Sequence, residues 1–300
     1  MSLTYSRQNV KDQIFDVPLA GSTGSSVMKR NGGKMHTNAY EVTLNVNPIR
    51  TKLVDWSIGL NWSKIDNYVD ELAEGVESIT LGGFTTPQVR VSAGDKFPVI
   101  YGSDYARDEK GRILVDEKGM PTSGEDAVIG KVSPDFNLGI TTSLRIEKLI
   151  ISAVFDWKSG GQMYHGTNGL LNYYGIGKDT ENRDQSLIFD GWKADGTKND
   201  IAITPDKMQS YYNVLNSINA SSVFDNSFIK LRELSLSYPV FKRSWLEVTG
   251  NLFARNILIW TELDNFDPEA SQGNNNMGGA FERFSMPQTS SYGFGLNVKF

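Results

Sequence analysis

The side chains of this chain best suited to binding chemistry gather near its end. Asp264, Asp267 and Glu269 are followed at once by Gly273-Asn-Asn-Asn276, with Asn274 at its start. Hard oxygen ligands and amides at this spacing suit a calcium ion or the hydroxyls of a sugar. The same Asp-Pro and Gly-Asn steps also set turns in a solvated loop. Asp190, Asp195 and Asp200 lack the spacing of a calcium-binding EF-hand loop. Two tyrosine pairs, Tyr173-Tyr174 and Tyr211-Tyr212, offer rings that stack on a sugar face or pin a loop to its neighbours. The only two histidines, His36 and His165, have no Asp or Glu at metal-ligand spacing, and no metalloprotease, phosphate-loop or nucleophile-elbow pattern occurs. With no cysteine there is no thiolate nucleophile, disulfide or zinc–thiolate site. The pattern is one of binding rather than catalysis: no enzyme and no cofactor are expected, calcium being the one ion the loop chemistry suits.

Composition narrows the class. The 300 residues are 39% apolar and 11% aromatic, enough for a packed core, and a formal net charge of -5 with no basic run of five argues against nucleic acid. The start, Met1 to Arg7, lacks the charged and apolar regions of a signal peptide, and no run of about 18 apolar residues could cross a bilayer as a helix. Both facts fit a soluble cytoplasmic protein, and both fit equally the downstream part of a longer exported one. Asn61-Trp-Ser63 and Asn219-Ala-Ser221 match the glycosylation sequon without further support.

The elements that must position those side chains read as long strands. In the last twelve residues Tyr292, Phe294, Leu296, Val298 and Phe300 fall on one side and Gly293, Gly295, Asn297 and Lys299 on the other. The same period of two runs through Tyr40–Val46, Val54–Trp62, Phe136–Ile146, Leu149–Trp157, Leu234–Val240 and Leu246–Ala254, with a less regular stretch over residues 2–15. Thr204, then Pro205, predicts a short helix to about Asn216. Two Asp-Glu-Lys-Gly turns, Asp108–Gly111 and Asp116–Gly119, predict small hairpins inside a large loop. Long connections (about 16–36, 70–135, 164–226 and 259–288) alternate with tight turns near 48–53, 148 and 241–245. All the long ones would then lie at one end of a sheet and all the short ones at the other, the layout of an outer-membrane barrel. Trp62, Tyr68, Trp157, Tyr238, Trp245 and Trp260 near the strand ends would form its interface girdle.

On that reading Asn45, Asn61, Asn137, Thr141, Arg145, Asp156, Asn251 and Arg255 form the lumen wall, where water meets the hydrogen-bonding need that a dry core would leave at about 1–3 kcal/mol each. The competing reading is a soluble β-sandwich carbohydrate-binding module, with the same strands closed over a core. A surface barrel without transport is a third.

Gly59–Ser63, Tyr105–Arg112, Val132–Gly139, Phe155–Gly161, Phe228–Tyr238, Arg255–Thr261 running into Asp264–Glu269, and Pro287–Phe300 together resemble the SusC/RagA-like branch of TonB-dependent outer-membrane transporters of Bacteroidetes. The resemblance covers nearly the whole chain in order. It implies an all-β, antiparallel up-and-down transmembrane β-barrel, here a partial one of about eight strands out of roughly 22 in a plugged transporter. Residues 1–300 would be the C-terminal part of the barrel domain, without plug domain or signal peptide, and 70–135, 164–226 and 259–288 its long extracellular loops. The implied function is energised uptake of oligosaccharides or peptides across the cell outer membrane. Implied partners are a SusD-like surface lipoprotein, TonB through the missing N-terminal part, and outer-membrane lipid. Tyr173, Tyr174, Asp264, Asp267, Glu269 and Asn274 become candidates for substrate or lid contact, and Tyr292, Phe294, Leu296, Val298 and Phe300 the barrel-assembly signal.

Overall fold

Alternation of apolar and polar residues makes a strand profitable only where its two faces meet different surroundings. The computed structural model, which describes all residues except 20, 21, 23, 25, 26, 32, 85, 183, 264 and 273–278, follows that alternation closely. Eight strands form one antiparallel sheet in chain order: β1 (Ser2–Val10), β2 (Lys34–Arg50), β3 (Val54–Glu71), β4 (Phe136–Ile146), β5 (Leu149–Ser159), β6 (Phe228–Arg243), β7 (Leu246–Thr261) and β8 (Ser291–Lys299). The least regular stretch, over residues 2–15, keeps β1 only to Val10. The strands β2, β3, β6 and β7 run to 16–18 residues, longer than strands in most soluble sheets.

Tight turns close one end. Thr51 ties its own turn through its amide and hydroxyl to the Val54 carbonyl, and Glu147, at φ 51°, takes the left-handed conformation that a minimal β4–β5 turn requires. The Glu147 amide also donates to the Leu53 carbonyl of the neighbouring turn at 2.6 Å.

Register sorts the two faces. One row across the sheet pairs Ile49, Trp56, Leu144, Ile151, Leu236, Leu252 and Phe294. A row nearer the long-loop end pairs Val42, Trp62, Leu138, Trp157, Ile229 and Trp260, which sets three of the expected girdle tryptophans level. The opposite face carries Ser57, Ser143, Ser152 and Ser235 in one row and Thr43, Asn61, Gly139, Asp156 and Lys230 in another. Among the described residues no second sheet covers the apolar face: Leu236 is 37% exposed, Leu252 57% and Phe294 79%. The soluble sandwich reading fails on this point, because it needs these residues in a dry centre between two stacked sheets.

The packed core lies instead among the long connections. Ser78–Gly83, Gln88–Ser92, Val99–Tyr105 and Ser123–Lys131 form a four-stranded antiparallel sheet. Val223–Asp225, Gln162–His165 and Phe281–Glu282 form a three-stranded one, in which Gln162–His165 and Phe281–Glu282 run parallel. Val89, Ile100, Val132, Tyr164, Ala280 and Phe281, drawn from three separate connections, close into one buried cluster. Residues 70–135 are therefore far more ordered than a large loop with hairpins. Their strands are short, and only the other connections complete their core. The two Asp turns are present as expected: Asp108 accepts from the Lys110 and Arg112 amides and Asp116 from those of Lys118 and Met120.

The expected helix begins as a 3-10 turn, Pro205–Lys207, and continues as α2 (Met208–Ser217). Thr204 does not cap it, its hydroxyl bonding the Asp206 carboxylate at 2.6 Å instead. Helix α1 (Gly166–Tyr173) was not foreseen, since Gly-Thr-Asn-Gly is a poor helix start.

Candidate functional site

The polar face and the ordered connections above it make one continuous surface. Near the tight turns Arg145 faces Asp55 at 3.6 Å and donates to the carbonyls of Lys52 and Glu147. Asn251 accepts from the Ser237 hydroxyl, and Arg255 pairs with Glu233 at 3.0 Å while lying over the Phe253 ring. Farther up, Asn61 accepts from Thr43 and lies across from Asp156 by way of Gly139. At Gly59 the missing side chain leaves room for Asn45 and Thr141, whose polar atoms would crowd any Cβ placed there. Asn137 stands beside Ser63 and Lys158 at the long-loop end. The eight residues expected to form a hydrated wall share one face of the sheet by register.

Where that wall meets the connections, five charges converge. Lys230, 4% exposed, reaches Asp267 and Glu269 at 2.6 Å each. Arg232 grips both oxygens of Glu269 and reaches Asp156 at 2.6 Å. Burial alone would push the carboxyls of Asp267 and Glu269 upward. The donors from Lys230 to both and from Arg232 to Glu269 outweigh it, and both groups stay below the usual carboxylate range. Asp267 also accepts from the amides of Glu269 and Gln288, so the last connection is held down on the wall at these points. Asp267 and Glu269 are thus engaged by the protein's own cations. Asp264 and Asn274 lie outside the described residues. Sequence reasoning missed Lys230 and Arg232, although two cations two residues apart on the polar side of a strand are a legible sign of a charged wall.

The tyrosines divide. Tyr173 and Tyr174 pack edge to face, centroids 5.1 Å apart, at the end of α1, and Tyr174 is 68% exposed. With Tyr212, Asn172, Gln185 and Gln209 they line a cavity of about 470 Å³ between α1 and α2. Tyr212 is fixed by its hydroxyl donating to the Asp179 carbonyl at 2.9 Å, and Asn172 donates to the Asp179 carboxylate. Aromatic faces among amides suit a ligand with apolar faces and polar edges. Tyr211 is buried with Met120 and Ile203 and has a structural part.

Both histidines have carboxylate neighbours that their sequence positions hide. His36 meets Asp70 at 2.7 Å and stacks on Tyr68, and buried His165 lies 3.8 Å from Glu282. Among the described residues no group of three or more metal-ligating side chains assembles. Tyr292, Phe294, Leu296 and Val298 stand exposed on the apolar face of edge strand β8, and Phe300 follows them at the chain end.

No family model matches this sequence. It is 25% identical over 341 residues to TonB-dependent receptor P3 of Formosa agariphila, a match covering 100% of this chain and 32% of the relative. TonB-dependent receptor P26 of the same organism is 26% identical, with 99% and 32% covered. The chain spans about a third of the length of these curated relatives. Among solved structures, the RagAB peptide importer in its closed-closed state superposes with a TM-score of 0.69 at 18% identity, covering 99% of this chain and 33% of that one. A second RagAB peptide transporter structure gives 0.70 at 16%, with 99% and 32% covered. These likenesses establish a shared barrel fold.

Proposed function

We propose that this chain is a barrel portion of a SusC/RagA-like TonB-dependent outer-membrane transporter, forming part of the wall and outer mouth of an energised importer for oligosaccharides or peptides; its likeness to TonB-dependent receptors and to the RagAB fold supports the reading. One observation carries the reading. The eight-stranded sheet has an uncovered apolar face and a polar face built of serine, asparagine and paired charges. Lipid accepts the first face and a water-filled, plugged lumen the second.

The ordered connections then stand outside the cell. There they meet substrate first and offer their outer surface to a SusD-like lipoprotein lid. The cavity of Tyr173, Tyr174 and Tyr212 is our candidate for substrate contact. TonB acts through the rest of the protein, which lies beyond these residues.

Uptake decides the matter. In a strain lacking the gene, import of labelled oligosaccharide or peptide should fall and should return with the full-length protein in the outer membrane. Undiminished import of both ligand classes in the deletion strain refutes the proposal. Tyr174→Ala should weaken substrate binding without lowering the amount of protein in the membrane.

A further inference from the structure

A second cavity, of about 380 Å³, opens between the tip of the four-stranded sheet, the start of α1, the end of α2 and the last connection. Arg283, Tyr164, Phe84, Asn216 and Thr86 line it. Arg283 lies over the Phe84 ring, its guanidinium carbon 4.9 Å from the centroid, and among the described residues it has no carboxylate partner. Two other arginines of the connections are paired, Arg107 with Asp104 at 3.4 Å and Arg112 with Asp108 at 2.6 Å, while Arg90 donates to Gln88 and lies over Tyr101. The carboxylate adjacent in sequence, Glu282, is turned beneath the surface. It is 1% exposed, and it accepts from the Thr167 hydroxyl and the Ser285 amide.

The turn holding Arg283 is rigid. Phe284 has φ 55°, a left-handed conformation rare outside glycine, and its amide is held by the Thr167 hydroxyl at 2.6 Å. Beside it Tyr164 is only 8% exposed, yet its hydroxyl makes no hydrogen bond to any described residue. Burial raises this phenol and the Arg283 charge opposes the rise, so the two groups sense each other. Tyr164 and Phe84 both pack against Phe281, which fixes the floor of the cavity to the buried cluster. The Asn216 side chain, partly exposed, is likewise free of hydrogen bonds to the described residues.

We propose that this cavity is a carboxylate-binding subsite. Arg283 would grip both oxygens of the anion and Tyr164 would donate a third hydrogen bond. A planar guanidinium held over an aromatic ring is preorganised for that fork. Asn216 and the Phe84 face would contact the atoms next to the carboxylate. The anion comes from the imported substrate, either a uronic acid in an oligosaccharide or the terminus of a peptide. This inference rests on the importer reading for its biological sense, but the binding it predicts can be measured alone.

The test uses the full-length protein in detergent and calorimetric titration with four probes: trigalacturonate, its methyl ester, trialanine, and trialanine amide. One acid should bind at least about ten-fold more tightly than its uncharged counterpart, and which acid does so identifies the source. Arg283→Gln should erase that preference while leaving binding of the uncharged probe and the melting temperature unchanged. Tyr164→Phe should weaken the acid several-fold and spare the neutral form. Equal affinity for acid and neutral forms, no binding of any probe, or an Arg283→Gln variant that keeps the preference would each overturn the inference. In a parallel uptake assay, import that depends on the protein but ignores the carboxylate removes this subsite alone. Import independent of the protein removes the importer reading.

Discussion

Replacing Lys230 with methionine removes the cation on which the last connection is anchored. The ammonium sits at 2.6 Å from both Asp267 and Glu269 and is nearly inaccessible to water. A hydrogen bond to a charged group contributes about 1.5–3 kcal/mol net, which sets a ceiling of roughly 3–6 kcal/mol for two. Arg232 still holds Glu269 in the variant, so the loss concentrates on Asp267, whose side chain is only 9% exposed. The expected cost is about 2–4 kcal/mol of local stability, or roughly 30- to 1000-fold in the opening equilibrium. Hydrogen exchange in the full-length protein should show that acceleration over residues 265–272 and 279–288 and nowhere in the barrel strands. Adding Asp267→Leu should recover part of the protection, because an apolar pair leaves no orphaned charge. Protection changed by less than about three-fold, or lost evenly across all eight strands, would refute the anchoring argument.

Acid should act on the same anchor. Asp267 and Glu269 titrate below their ordinary values when folded, so their contribution is present above the unfolded carboxylate range of about 4 and disappears as pH falls through the lower folded values. Protection factors in 279–288, corrected for the intrinsic pH dependence of amide exchange, should therefore fall below about pH 4 and stay flat between pH 6 and 8. On the apolar face Leu236→Arg should cost about 2–4 kcal/mol in lipid vesicles if the site is near mid-bilayer, whereas neighbouring Ser235→Arg should cost far less; equal costs by chemical unfolding would sink the face assignment. A Cβ at Gly293 would lie 2.4 Å from the Phe253 ring, so Gly293→Val should destabilise the β7–β8 pairing by about 1–3 kcal/mol. The same unfolding assay with Phe253→Ala present should show most of that cost relieved. Removing Phe300 should lower the amount of protein reaching the outer membrane, measured by quantitative fractionation, without altering folded material already there.

The sheet was legible because period-two alternation is a local property. Leu138, Ile140 and Leu144 against Asn137, Thr141 and Arg145 state their faces without knowledge of neighbours, and the long and short connections state which end is which. The interior of the connections was not legible, since Val89, Tyr164 and Phe281 become one core only when three distant segments meet. The candidate site divides the same way. Asn61 and Asp156 declare the polar face of the sheet by their place in a strand. The engagement of Asp267 and Glu269 by Lys230 and Arg232 is a contact between residues 35 or more positions apart and leaves no trace in spacing. Helix α1 was missed because intrinsic propensity disfavours its first residues, and tertiary packing overrode it.

The parallel bridge of Tyr164 and His165 to Phe281 and Glu282 binds two connections that are remote in the gene into a single mechanical plate. Exchange of the 160–227 stretch alone with that of a relative would strand Phe281 and Glu282 without their mates, whereas exchange of both stretches together carries the seam intact. Grafts between this chain and its relatives should therefore tolerate the pair as one module and reject either half.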